Sequence, residues 1–205
     1  MIRERRYEDP YALPTKDGHI RSYIEHILWG CTDPIWEFFN SIYSKNNNIT
    51  QFNSDIINMK NWSPQEINIA VDTIYQIGSR TFNRMPLKQL LDLSISGLTY
   101  THLDLQKIDD CNMFTHWTFY NSIGGSYANI VKRLNIPDTS GFIHAFLLAV
   151  ASNLLQCEKF DISIPSTTFE SLIEQSIREV LTTYIEVPIQ KQYISWLNNP
   201  PLINI

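Results

Sequence analysis

The sequence predicts an α+β, mainly α fold: a helical body with a small antiparallel β element toward the C-terminus. Three observations predict it. Apolar residues recur at helical spacing through much of the chain, most regularly at Ile67, Ala70, Val71, Ile74 and Ile77, where they form one stripe. Residues Phe160 to Ile164 alternate apolar and polar with period two and stop at Pro165, as a half-buried strand does. Thr182 to Val187 is rich in β-branched and aromatic residues, which fit a pleated surface. With 205 residues, 43% hydrophobic and 18% charged, the chain can bury a core of its own.

Residues 1–22 carry Pro10, Pro14 and Gly18 among mixed charges and read as an extended N-terminal arm. The helical body, residues 23–157, opens with Ile24, Ile27 and Leu28 on a short helix that Gly30 can stop. Asp33 and Pro34 then restart the chain as cap and first helical position for Ile35, Trp36, Phe38, Phe39 and Ile42. Asn46 to Asn48 ends that helix as a loop. Ser63-Pro64-Gln65-Glu66 is a capping box with proline in the first turn, and it starts the regular stripe, which Gly78 closes. Leu87, Leu90, Leu91, Ile95 and Leu98 follow Pro86 as a second helix, and the two make an αα-hairpin. Between Thr99 and Phe119 the pattern is irregular, with alternation from Tyr100 to Leu105 that suits a short strand.

Gly124-Gly125 breaks the chain before a helix ending in Lys132 and Arg133, cations suited to a helix C-terminus. Asp138, Thr139 or Ser140 caps a further helix through Gln156. Residues 158–205 form a strand-helix-strand unit: the strand at 160–164, a helix opened by the capping box Thr167 to Glu170, and the strand at 182–187. Arm, body and C-terminal unit make one compact domain overall.

The formal net charge of -5 argues against a protein that neutralises phosphates, so nucleic acid is not expected as a partner. The longest apolar run, Gly141 to Leu155, falls short of the ~20 residues that span a bilayer and reads as a buried helix, so no membrane is expected either. The first ten residues lack the apolar stretch of a secretory signal, and Cys31, Cys111 and Cys157 form neither a disulfide framework nor a thiolate zinc site. Free thiols and a cytoplasmic location are the expectation.

His102, Asp104, Asp109, Asp110 and His116 are the densest set of hard-metal ligand types, the mixture an iron or manganese site would use. No pair among them has the i, i+3 or i+4 spacing of ligands on a helix, and Asp109-Asp110 has a sufficient role as a cap. His26, Cys31, Asp33 and Glu37 lie close in sequence, but nothing there marks a depressed thiol pKa. Ile123-Gly124-Gly125-Ser126 lacks the spacing of a phosphate loop and serves better as a helix break. Arg3, Arg5 and Arg6 make a small basic tip, diluted by Glu4, Glu8 and Asp9. Trp29, Trp36, Phe38 and Phe39 crowd one stretch whose stripe cannot bury every ring, so some rings are expected to face a partner.

Leu13-Pro-Thr-Lys-Asp-Gly-His-Ile-Arg, followed by Ile24-Glu-His-Ile-Leu-Trp-Gly-Cys-Thr-Asp-Pro-Ile-Trp-Glu-Phe-Phe, resembles the N-terminal region of the MbnC family, accessory subunits of methanobactin biosynthesis. Trp62, the helix with Tyr75 and Ser79, Phe82 and the leucine run Leu87 to Leu93 resemble the next part of that family. The likeness covers roughly the first half of the chain at pattern level. It implies a partner resembling MbnB, a TIM-barrel subunit that holds iron, with which this chain would form a heterodimer. That heterodimer would oxidise cysteines of a ribosomal precursor peptide to oxazolone and thioamide groups with dioxygen. It implies no cofactor, metal or catalytic residue in this chain, which would complete the complex and help hold the precursor's leader peptide.

Leader peptides in such systems commonly add a strand to an exposed sheet edge, and the candidate edges here are Phe160, Ile162, Ile164, Tyr184 and Glu186. The leading expectation is a non-catalytic, peptide-recognising subunit of an iron-dependent oxidase. The rivals are a stand-alone helical metalloenzyme using the histidine and aspartate set, and an assembly protein whose first 22 residues lie on a neighbour.

Overall fold

The computed structural model describes residues 16–46, 48–81, 86–104, 113–156 and 167–199, and among these every regular element is helical. The order is α1 (Lys16–Asn46), α2 (Ile49–Asn58), a 3₁₀ turn (Met59–Asn61), α3 (Pro64–Thr81), α4 (Leu87–Leu103), α5 (Met113–Ser122), α6 (Tyr127–Arg133) and α7 (Thr139–Gln156). Then come α8 (Thr167–Leu181), a π-helical segment (Thr182–Glu186) and α9 (Val187–Asn198).

Burial explains why α1 runs unbroken for 31 residues although Pro34 lies inside it. An interior proline costs a helix ~3 kcal/mol or more, whereas each fully buried large apolar side chain contributes ~1.5–3 kcal/mol. Ile27, Cys31, Ile35 and Phe39 are all fully buried on one face of α1, so burial on both sides of the proline outweighs the break. Gly30, expected to stop a helix, is instead a point of close approach: a methyl there would lie 2.9 Å from Leu87 Cδ1 and 3.1 Å from Leu90 Cδ2 of α4. Residues 16–22, expected as part of an extended arm, are the first turns of α1, while residues 1–15 lie outside the described residues.

Two of the caps read from the sequence, at Ser63 and Asp138, form as expected, whereas Asp33, expected to cap a new helix, lies inside α1. The Ser63 amide donates to Glu66 Oε2 (2.7 Å), and the Glu66 amide donates back to Ser63 Oγ (3.3 Å). Asp138 caps α7 by accepting from the Gly141 amide (2.8 Å), and Asn48, read from the sequence only as loop, caps α2 by accepting from the Thr50 amide (2.8 Å). The break before α6 is made by Gly124 and Gly125, at φ +139° and +67°, where a side chain would be strained.

α1 is the hub: it packs most extensively on α4 and also on α3, α8 and α2, while α7 lies chiefly on α8. Phe39, Phe52, Phe142, Phe146 and Phe169 fill the core. Side-chain hydrogen bonds also tie helices together. Asn153 Nδ2 of α7 donates to Ser176 Oγ of α8 (2.8 Å), which donates to its own helix at Leu172 O (2.7 Å). Asp92 of α4 accepts from Thr139 Oγ1 at the start of α7 and from Lys88 Nζ (2.8 Å).

The α+β expectation is overturned, since no strand occurs among the described residues. The segment 182–187, expected as a strand from its β-branched content, is π-helical and continues from α8 into α9, with the Val187 amide donating to Thr182 O. Pro188 supplies a reason: it brings no amide donor and its ring crowds the carbonyl four residues back, and a turn widened to i→i−5 bonding accommodates both. Ile185 and Ile189 are buried by that winding, so tertiary packing overrides local β propensity. The expected strand Phe160 to Ile164 lies outside the described residues. Tyr100 to Leu103, read as alternating, is the last turn of α4, where Leu98, Thr99 and Leu103 are buried and Thr99 Oγ1 donates to Ile95 O (2.8 Å).

Asp92 yields a pH test. Burial works against its charge, but the hydrogen bonds from Lys88 and Thr139 outweigh it and hold the carboxyl below its ordinary value. Such a group stabilises the fold above its unfolded value of 3.8, and that contribution is lost as the pH falls through the lowered folded value. Asp92→Asn is expected to cost about 1 kcal/mol at neutral pH. In thermal melts followed by circular dichroism, the gap from wild type should close in strong acid; an equal gap at both pH values would contradict the assignment.

Candidate functional site

Three helices meet around an open groove of about 590 Å³, lined by Tyr23 of α1, Gly97 and Tyr100 of α4, Asp104 just after it, and His116 and Tyr120 of α5. The closeness of α1 to α4 places the first ring: Tyr23 lies across Gly97, where any Cβ would overlap its ring. Tyr100 stacks on Tyr127 of α6, with centroids 4.5 Å apart and planes at 17°. His116 and Tyr120 stack across one turn of α5, at 6.2 Å and 22°. Lys16 Nζ donates to the main-chain oxygen of Asp104 (3.3 Å), tying the start of α1 to the end of α4. The outer wall is anchored by Phe119, fully buried and edge-on to Tyr193 (5.4 Å) and Trp196 (5.7 Å) of α9.

Tyr100 is 48% exposed, enough to present both an aromatic face and a hydroxyl. Desolvation, then the neighbouring phenols of Tyr120 and Tyr127, push its hydroxyl above the ordinary tyrosine value, so it stays a neutral donor at neutral pH. The groove therefore offers ring faces for planar or apolar groups, with phenol and imidazole groups to hydrogen-bond around them.

Among its described members, the expected metal set is divided. Asp104 and His116 line the groove, but His102 is absent from its lining and has Glu186 and Lys16 as its electrostatic neighbours. Burial, with Lys16, lowers the His102 pKa against the pull of Glu186. Asp109 and Asp110 lie outside the described residues, and among the described residues no three metal-ligating side chains come together. Cys31 is fully buried with its thiol pushed up to about 12, while His26, Asp33 and Glu37 are exposed, so that sequence cluster is dispersed too.

Tyr184 and Glu186, expected on an edge strand, belong to the π-helical segment. Tyr184 stands edge-on to Phe142 (6.2 Å), and Glu186 accepts from Gln190 Nε2 (3.0 Å). They form no sheet edge for strand addition; Phe160, Ile162 and Ile164 lie outside the described residues. Of the crowded aromatics, Phe38 and Phe39 are core, Trp36 is half-buried and only Trp29 is largely exposed.

Tyr23, Gly97 and Tyr120 had no motif to mark them, because they come from three helices and meet only in the fold. The sequence signal that bears on them is the aromatic excess, 10 tyrosines among 205 residues. Gly97→Ala tests the arrangement. Alanine favours a helix by roughly 0.5–1 kcal/mol, and the partly exposed Tyr23 ring would have to swing aside for its methyl. The thermal midpoint should stay near wild type while the Tyr23 ring resonances shift; a large loss of stability would show that the ring is locked in place.

No family model, curated protein or solved structure matches the chain.

Proposed function

We propose that this chain is a recognition subunit that holds a segment of polypeptide in the tyrosine-lined groove and leaves the chemistry to a partner. The observation that carries this is the convergence of Tyr23, Tyr100, His116 and Tyr120 from three helices on one open groove of about 590 Å³. Aromatic rings with a polar edge contribute much of the binding energy in peptide recognition, because they bury large area at small conformational cost. The resemblance to the MbnC family supplies a setting: the polypeptide would be a cysteine-bearing precursor and the partner an iron-binding TIM barrel. In that setting the leader peptide lies in a groove between helices, and the strand addition expected at Tyr184 and Glu186 is not part of the proposal. The groove's own chemistry supports peptide binding without that resemblance.

The test is to pan a random dodecapeptide library against the full chain and measure the enriched peptides by fluorescence anisotropy. Tyr100→Ala and Tyr120→Ala are each expected to weaken binding about tenfold, as loss of a central aromatic contact does. Because Tyr100 is half-exposed, its removal should leave the thermal midpoint nearly unchanged. Enriched peptides indifferent to both substitutions would overturn the assignment of the groove. Co-elution with a co-expressed iron-binding barrel of the MbnB family would support the setting, and separate elution would remove it.

A further inference from the structure

Trp29 is 64% exposed, the opposite of what its size favours, and it stands one helical turn from Glu25 and one from Asp33 on α1. These residues form one wall of a trough of about 340 Å³ between α1 and α8, whose other wall is Glu174 and Arg178. The nearly buried Leu28 also lines it. Three carboxylates and one guanidinium thus line it, Glu174 sharing its wall with Arg178. Glu25 bonds Arg21 at 2.8 Å, an exposed pair of the kind that contributes little and exchanges readily.

We propose that this trough is a docking surface for a basic segment of a partner polypeptide. An arginine or lysine would lie over the Trp29 indole, and a second cation would reach Asp33 and Glu174. Three features select that occupant. An exposed indole attracts a cation through its ring face, flanking carboxylates strengthen the attraction, and tryptophan is enriched among residues that dominate interface energy. The chain's net charge of -5 steers a basic partner toward it. The proposal is independent of the groove: Tyr23 and Trp29 are six residues, hence about 120° apart, around α1.

The experiment titrates the full chain with a fluorescein-labelled decapeptide of alternating arginine and alanine, and with an alternating glutamate and alanine peptide, by anisotropy at low salt. The basic peptide should bind and the acidic one should not. Trp29→Ala should weaken binding about tenfold although it changes no charge, and Glu174→Gln should weaken it more than Asp72→Asn, an equal change of charge on the exposed side of α3. Circular dichroism establishes that each variant is folded, and Trp29→Phe, which keeps a ring, should retain most of the affinity. Binding that survives Trp29→Ala, or falls equally with Glu174→Gln and Asp72→Asn, would reduce the effect to general attraction and overturn the proposal. So would failure of the basic peptide to bind, or its competition by the library peptides that depend on Tyr100.

Discussion

The fold depends on α1 remaining one helix across Pro34. α4, α3 and α8 each pack extensively on this helix, so a break there would disturb all three. Its continuity is a contest between a local penalty and burial on both sides of the penalty. The local term is one missing amide bond and a crowded carbonyl; the opposing term is Ile27, Cys31, Ile35 and Phe39, each fully removed from solvent. The close approach at Gly30 brings α4 onto α1, and the same alignment lays Tyr23 across Gly97. The groove is therefore a consequence of how α1 packs, with α5 added as an outer wall through Phe119.

Pro188 shows the other resolution of the same conflict. Near the C-terminus the chain widens into a π-helical turn at Thr182–Glu186, and the helix passes on into α9. Both prolines lie in runs whose flanking apolar residues are buried, and both helices continue. Local breakers shape these helices without ending them, because the core holds the residues on either side.

This explains which parts of the fold were legible in sequence. The starts of α2, α3, α6 and α7 depend on a side chain within four residues of the amide it satisfies, and for the box at Ser63 and the cap at Asp138 sequence and structure agree. The segments at Gly30 to Pro34, Tyr100 to Leu103 and Thr182 to Val187 were read from local propensity, and each was overruled by contacts with residues far away in the chain. The site divides in the same way. The sequence marks Asp104 and His116 as metal-ligand types alongside His102; their neighbours in the fold are Tyr23, Tyr100 and Tyr120. A shared chemistry can be read from spacing only when one element carries it, and this groove is assembled from three.

Two surfaces with different chemistry result. The groove is aromatic with hydroxyl and imidazole edges, while the trough at Trp29 is aromatic with carboxylates beside it. The proposed role, holding a peptide while docking on a partner, calls for two such faces. The most direct measurement is a ¹⁵N chemical-shift map of the full chain titrated with a library-selected peptide. Perturbation centred on the amides of Gly97, Tyr100, His116 and Tyr120, with Trp29 and Glu174 unmoved, is the predicted result. Perturbation centred anywhere else would contradict the assignment of the groove as the peptide site.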